Sequence, residues 1–256
     1  MPRVMSLLIV VSLAVSIGFA QQEQRPPIGI VEKLGQQIPL DVEFYDESGN
    51  IATMRQFVNK PTIFTFVYYR CPGICNPLMT ELSKIIPKID LELGKDYQIL
   101  TVGFDHREKP ELAKEKRENY LKAIGKPVNP DGWRFFTGDS VNIYTITDGA
   151  GFYFQRSGEN YVHAGVLIIV SPEGKITRYI NGIQYLPFDI KMAVIEAGEG
   201  KVGPTIAKVL SFCFSYDPEA RTYTFNVLRV SMVIILGLVG IFVVVFIIKP
   251  KKKTEG

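Results

Sequence analysis

The sequence is short of several residue types, and each shortage narrows what the protein can do. It has 3 cysteines and 2 histidines in 256 residues. A disulfide-stapled scaffold uses cysteine at high density to replace a core it is too small to build. This chain is long enough for an ordinary hydrophobic core, so it is not of that kind. No charge of one sign prevails. Lys and Arg number 29 against 26 Asp and Glu, and Arg3 with four lysines of the tail supplies the excess. The part between is near neutral and offers no basic stripe, which argues against a nucleic-acid partner. There is no internal repeat and no low-complexity tract. With 46% hydrophobic and 21% charged residues the chain is not disordered.

What is abundant is apolar sequence at the two ends. MPRVMSLLIVVSLAVSIGFA carries a basic residue, an apolar run from Val4 to Ile17, and small residues Gly18 and Ala20 at cleavage positions. It reads as a secretory signal peptide, residues 1–20. No cysteine follows Ala20, which argues against a lipoprotein signal. At the other end, 230–248 (VSMVIILGLVGIFVVVFII) is 19 residues without a charge, the length of a membrane-spanning helix. KPKKK follows, and by the positive-inside rule the basic tail 249–256 lies in the cytoplasm. The expected arrangement is single-pass in a bacterial cytoplasmic membrane, with the domain facing the periplasm.

Between the ends, 21–28 is a polar linker and 29–200 one domain. Residues 201–229 form an aromatic-rich juxtamembrane segment. Ile38–Phe44 alternates and DESGN is a turn, predicting a hairpin with Met54–Phe57 beside it. Thr62–Tyr69 (TIFTFVYY) and Tyr97–Asp105 (YQILTVGFD) read as strands buried on both faces. Asn76 and Pro77 predict a helix start, and Leu78, Leu82, Ile85 and Ile86 its buried stripe. Pro110–Ile124 is a charged helix, Trp133–Phe136 a short strand, and Asp139 a cap for a helix over 140–148. Tyr153–Gln155 is a short extended piece. Ala164–Val170 and Ile176–Ile180 form a hairpin around SPEGK, and Pro187–Ala197 is the last helix. Strand–helix alternation followed by a hairpin and a helix predicts an α/β fold, thioredoxin-like, with a mixed sheet flanked by helices.

Cys71 and Cys75, in YYRCPGICNPLM, fall at the start of the first core helix. Unpaired N–H groups and the helix dipole favour thiolate there, and thiolate is both nucleophile and metal ligand. The pair can therefore exchange electrons, hold a metal, or staple a loop. A third ligand would discriminate, and only His106 and His163 are available. His163 lies directly before an apolar strand, in a loop that a thioredoxin-like sheet brings near the cysteines. Two thiolates and an imidazole suit copper, whereas structural zinc usually wants a fourth protein ligand. His106 is expected to be a solvated loop residue, Met79 to be core, and Cys213 to be a buried odd thiol. The aromatics Phe64, Phe66, Tyr68 and Tyr69 are expected to pack the strand.

FTFVYYRCPGICNPLM, YVHAGVLIIVSPEGKI and VGFDHREKPELAKEK together resemble the Sco/SenC family of copper-binding cytochrome c oxidase assembly proteins, over roughly 30–198. The resemblance implies a thioredoxin-like domain on a membrane tether, with copper, Cu(I) or Cu(II), held by Cys71, Cys75 and His163. It implies a secondary role for Asp105. It also implies partners: subunit II of cytochrome c oxidase or another copper-accepting oxidase subunit, with other copper carriers or thiol reductants. In the same light Cys71 and Cys75 form a redox-active pair if the protein is instead a thiol-disulfide oxidoreductase. The chain departs from many members in having Asn76 between Cys75 and Pro77, His106 after Asp105, and its anchor at the C-terminus.

Overall fold

The computed structural model describes residues 28–203, the backbone of 214–217 and 222–225, and the helical positions Ser231, Ile235, Leu238 and Phe242. The predicted signal peptide, the linker up to residue 27, Cys213 and the rest of the predicted span 230–248 lie outside the described residues. Among the described residues no helix is long and apolar enough to cross a membrane.

The elements follow the apolar runs of the sequence. In chain order they are β1 (Gly29–Ile30), β2 (Glu43–Asp46), β3 (Ile51–Thr53), α1 (Met54–Phe57), β4 (Thr62–Val67), α2 (Cys75–Ile85) and β5 (Gln98–Gly103). There follow α3 (Pro110–Ala123), β6 (Trp133–Thr137), α4 (Ser140–Gly149), β7 (Phe152–Tyr153), β8 (Gln155–Ser157), β9 (Asn160–Val162), β10 (Val166–Val170), β11 (Ile176–Asn181) and α5 (Pro187–Gly198). Beyond the domain, β12 (Phe214–Asp217) pairs antiparallel with β13 (Thr222–Phe225).

A seven-stranded mixed sheet organises the domain, in the order β11-β10-β4-β5-β6-β2-β3. β4, β5 and β6 are parallel, and the flanking pairings are antiparallel. Successive residues of a strand point to opposite faces. Every residue of β4, β5 and β10 is buried, so both faces of the central sheet are covered. That is why these strands read as continuous apolar runs rather than alternations. The polar residues within them are paired: Thr65 donates to Thr101 at 2.8 Å, and the Trp133 indole N–H reaches the Thr101 hydroxyl at 2.9 Å.

α2 packs on α3, α3 on β6 and β2, and α5 on β10, β11 and β4. The inner side of α3 is tied down by ions. Glu47 accepts from Arg134 at 2.6 Å and lies 3.2 Å from the Arg117 guanidinium. Pro110 and Pro187 begin α3 and α5, where a missing N–H costs nothing. Asp139 caps α4, its Oδ1 accepting from the Asn142 N–H at 2.9 Å.

Three expectations need correction. Ile38, Leu40, Val42 and Phe44 are buried alternately, yet only Glu43–Asp46 is paired as a strand. The partner of that strand is Ile51–Thr53, and Met54–Phe57 forms one helical turn with Met54 buried. Tyr68 and Tyr69 lie beyond the end of β4, in the turn that precedes Cys71. The sheet therefore ends β4 where the chemistry of the chain begins.

Candidate metal centre

β4 delivers the chain to a tight turn, closed by the Cys71 N–H donating to the Tyr68 carbonyl at 3.1 Å. The Gly73 N–H then donates to the Cys71 sulfur at 3.3 Å. α2 begins at Cys75 itself, one residue before the expected cap. Asn76 does not cap it, because its side chain has better partners. Its Nδ2 donates to the Cys71 carbonyl at 3.2 Å, and its Oδ1 accepts from the Tyr120 hydroxyl at 3.0 Å.

His163 reaches this point from the connection between β9 and β10. Its Nε2 lies 3.3 Å from the Cys75 sulfur, although 88 residues separate the two in sequence. Its Nδ1 lies 2.9 Å from the Ala164 carbonyl. A carbonyl oxygen only accepts, so Nδ1 carries the proton and the Nε2 lone pair faces the thiols. Phe104, Tyr68 and Phe152 hold the ring, with centroids at 5.1, 5.9 and 6.0 Å.

Cys71 and Cys75 are both buried and free, and their sulfurs and a His163 nitrogen all lie within 4.8 Å of one another. That is close to the span one first-row metal ion covers with bonds of about 2.0–2.3 Å. The two sulfurs divide their protons unevenly. The Cys75 S–H donates to Cys71, which holds the Cys71 thiol far below its ordinary value against the upward pull of burial. The Gly73 and Cys75 backbone N–H groups push the same way. Cys75 is driven up by the same hydrogen bond, then by burial and by the charge on Cys71. The centre thus offers a thiolate, a thiol and an imidazole pointed at one volume, an arrangement that can ligate a soft cation or attack a disulfide.

The other sequence candidates separate from this cluster. His106 is exposed and is not part of it. Met79 is buried, its sulfur 3.9 Å from the Thr65 hydroxyl, so it packs the core. Asp105 is buried but is not in the donor group. Its carboxylate takes the Arg107 side chain at 2.8 and 2.7 Å, and the Tyr161 hydroxyl at 3.3 Å. Burial pushes its pKa up, but Arg107 and Tyr161 outweigh burial and hold it below the usual range. Arg107 also reaches the Glu159 side chain at 3.4 Å, so Asp105 and Arg107 brace the β8–β9 hairpin that leads to His163.

Glu108 escapes a reading of the sequence. It is 2% exposed, and its two carboxylate oxygens accept the Tyr69 and Arg70 N–H groups, each at 2.8 Å. Burial raises its pKa to about 7 even though both amides favour the charged form. In the run HREKPE it looks like one more solvated charge ahead of a helix. Nothing local marks it as buried.

Comparison with known proteins shows the family and the fold. A family model described as SCO1/SenC matches residues 32–197. The chain is 26% identical over 167 residues to the SCO1 protein homolog of Bacillus subtilis (strain 168), covering 60% of this chain and 83% of that one. A solved structure from Aquifex aeolicus VF5, named as a candidate electron transfer protein, superposes with a TM-score of 0.59 at 28% identity. That match covers 66% of this chain and 96% of the other. Arabidopsis thaliana ScoI, solved with copper bound, shares the fold with a TM-score of 0.52 at 17% identity, over 62% of this chain and 96% of its own.

Proposed function

The chain belongs to the SCO1/SenC family, and on that premise we propose that it is a membrane-tethered copper chaperone working outside the cytoplasm. Its cargo is one copper ion, taken by Cys71, Cys75 and His163. Its acceptor is a copper-binding subunit of cytochrome c oxidase, subunit II first, whose thiols it loads or keeps reduced. The observation that carries this reading is the convergence of two sulfurs and an imidazole nitrogen within 4.8 Å. Thiolates favour Cu(I), and the imidazole makes Cu(II) tolerable. No fourth histidine or cysteine joins the cluster among the described residues, so the donor set suits structural zinc poorly.

Transfer is ligand exchange. Acceptor thiolates displace protein ligands one at a time as two surfaces meet, so copper is never released free. A Cys71–Cys75 disulfide has no thiolate to offer, so the redox state of the pair sets whether the protein can load. The signal peptide 1–20, the charge-free run 230–248 and the lysines after it support a domain outside the cytoplasmic membrane with its C-terminus inside. Ile235, Leu238 and Phe242, helical with exposed apolar side chains, suit such a span.

The test is metal content. The purified, reduced protein is expected to hold one copper per chain, and Cys71→Ser, Cys75→Ser and His163→Ala each to lose it. Tight stoichiometric copper in all three variants would overturn the three-ligand site. A second reading, a thiol-disulfide oxidoreductase, is favoured by the uneven sharing of protons between Cys71 and Cys75. There the Cys71 thiolate attacks a substrate disulfide, and the Cys75 thiol then releases the reduced substrate as Cys71–Cys75 closes. Disulfide reduction at thioredoxin-like rates by a protein that takes up no copper would make this the better account.

A further inference from the structure

We propose that Glu108 is a positioning residue that fixes the Cys71 sulfur in the centre by holding the turn in front of it. The turn Tyr68–Cys71 has three consecutive N–H groups after its first residue. Cys71 spends its own on the Tyr68 carbonyl, and Glu108 takes the other two, one on each oxygen at 2.8 Å. No backbone donor of the turn is left to move it elsewhere. The hook comes from the far side of the sheet end, from the residues that join β5 to α3. The Glu108 N–H is itself held by the Asp105 carbonyl at 3.0 Å, and Asp105 and Arg107 brace the His163 hairpin. The four residues 105–108 therefore tie the cysteine turn to the histidine connection.

A carboxylate that is 2% exposed and aimed at two amides is costly to keep unless it is needed there. The Tyr69 N–H is buried and the Arg70 N–H partly so, and Glu108 satisfies both. What the hook adds is precision at the next residue, whose sulfur must sit both on the Gly73 N–H and opposite Cys75. Preorganised ligands lose less freedom on binding, and supporting contacts of this kind set a metal's ligand geometry.

The proposal rests on the copper-site reading above, so its decisive test uses the metal-free dithiol. The full chain is equilibrated with reduced and oxidised glutathione, comparing the parent with Glu108→Gln, Glu108→Asp and Ile99→Val. The last lies at the far end of β5 and controls for lost stability alone. The hook holds the cysteine turn in the geometry of the dithiol form, so on this proposal Glu108→Gln should shift the equilibrium at least threefold toward the Cys71–Cys75 disulfide. Glu108→Asp keeps the charge but is one methylene short of spanning both amides, and should shift it the same way by less. Ile99→Val should leave it in place. Loss of the Glu108 charge alone would favour thiolate and shift the equilibrium toward the dithiol. That direction, or a change of less than threefold in Glu108→Gln, would overturn the proposal. If Glu108→Gln does not fold, Glu108→Asp decides, with any shift toward disulfide beyond Ile99→Val in support and none against. With copper loaded, the sulfur-to-copper absorption of Glu108→Gln should also move while that of Ile99→Val does not. A parent that binds no copper defeats the copper reading but leaves the glutathione result to decide the role of Glu108.

Discussion

At the scale of single residues, the centre depends on which atom holds each proton. The Ala164 carbonyl fixes His163 as the tautomer with a free Nε2, and a thiol proton held between two sulfurs leaves Cys71 as the thiolate. Glu108 has a proton balance of its own that a stability measurement can read. Its carboxyl rises from an ordinary 4.5 to about 7 on folding. Between those values the folded protein binds more protons than the unfolded chain, so this group makes stability fall as pH rises from about 4.5 to 7. The contribution is fully present below that window and gone above it. At full size it is about 3 kcal/mol. Glu108→Gln has no such proton, so the difference in urea midpoint between variant and parent should change across this window and stay constant outside it. A difference that does not vary with pH would show that Glu108 titrates normally. The same residue marks a limit of sequence reading. Cys71, Cys75 and His163 stand out by type and scarcity, whereas Glu108 is one of 26 acidic residues and only its neighbours in space distinguish it.

At the scale of elements, the site is made by where strands stop. β5 ends at Gly103, and the ring of Tyr69 lies directly over it. A Cβ at that position would stand 2.8 Å from Tyr69 Cε2. The ring has nowhere to go, because its hydroxyl donates to the Phe136 carbonyl at 2.8 Å and lies 3.3 Å from that of Thr101. Gly103→Ala should therefore cost about 1–3 kcal/mol and, by displacing the turn that carries Tyr69, weaken copper retention in a chelator competition. A variant that melts and holds copper like the parent would refute the coupling between β5 and the cysteine turn. Elements with long buried runs were legible in advance: β4, β5 and β10 fall within the predicted ranges because strands covered on both faces have no polar alternation to hide them, and β11 runs one residue past its own. The hairpin β8–β9 was not, because QRS and NYV are short and mostly exposed, with no apolar period to detect. The start of α2 misled for a chemical reason. Asn-Pro satisfies the rules for a cap, yet the Asn76 amide is engaged by Cys71 and Tyr120, and the helix begins at Cys75 without a side-chain cap.

At the scale of the whole molecule, the proposed arrangement places a redox-sensitive copper site on a domain that a C-terminal span holds at the membrane face. Among the described residues the sheet is an open one from β11 to β3, and the buried core is drawn from Ile38 to Ala197. Removing residues 229–256 should release the exported protein from carbonate-washed membranes into the soluble fraction, with copper stoichiometry unchanged. A truncated chain that stays in the membrane pellet would refute the span at 230–248. One that comes free without copper would show that the tail contributes to the site. The sequence by itself determined the long buried strands at the centre of the sheet, the start of a helix near two thiols, the scarcity of possible third ligands and the two apolar ends. All of these are properties of neighbouring residues, written in hydrophobic period and residue type. Only the tertiary structure decided that the His163 ring meets Cys75 across 88 residues, that Asp105 braces a hairpin, and that Glu108 holds the cysteine turn. Those contacts join separate loops at one end of the sheet. The order in which strands pair sets them, and no local stretch of sequence contains it.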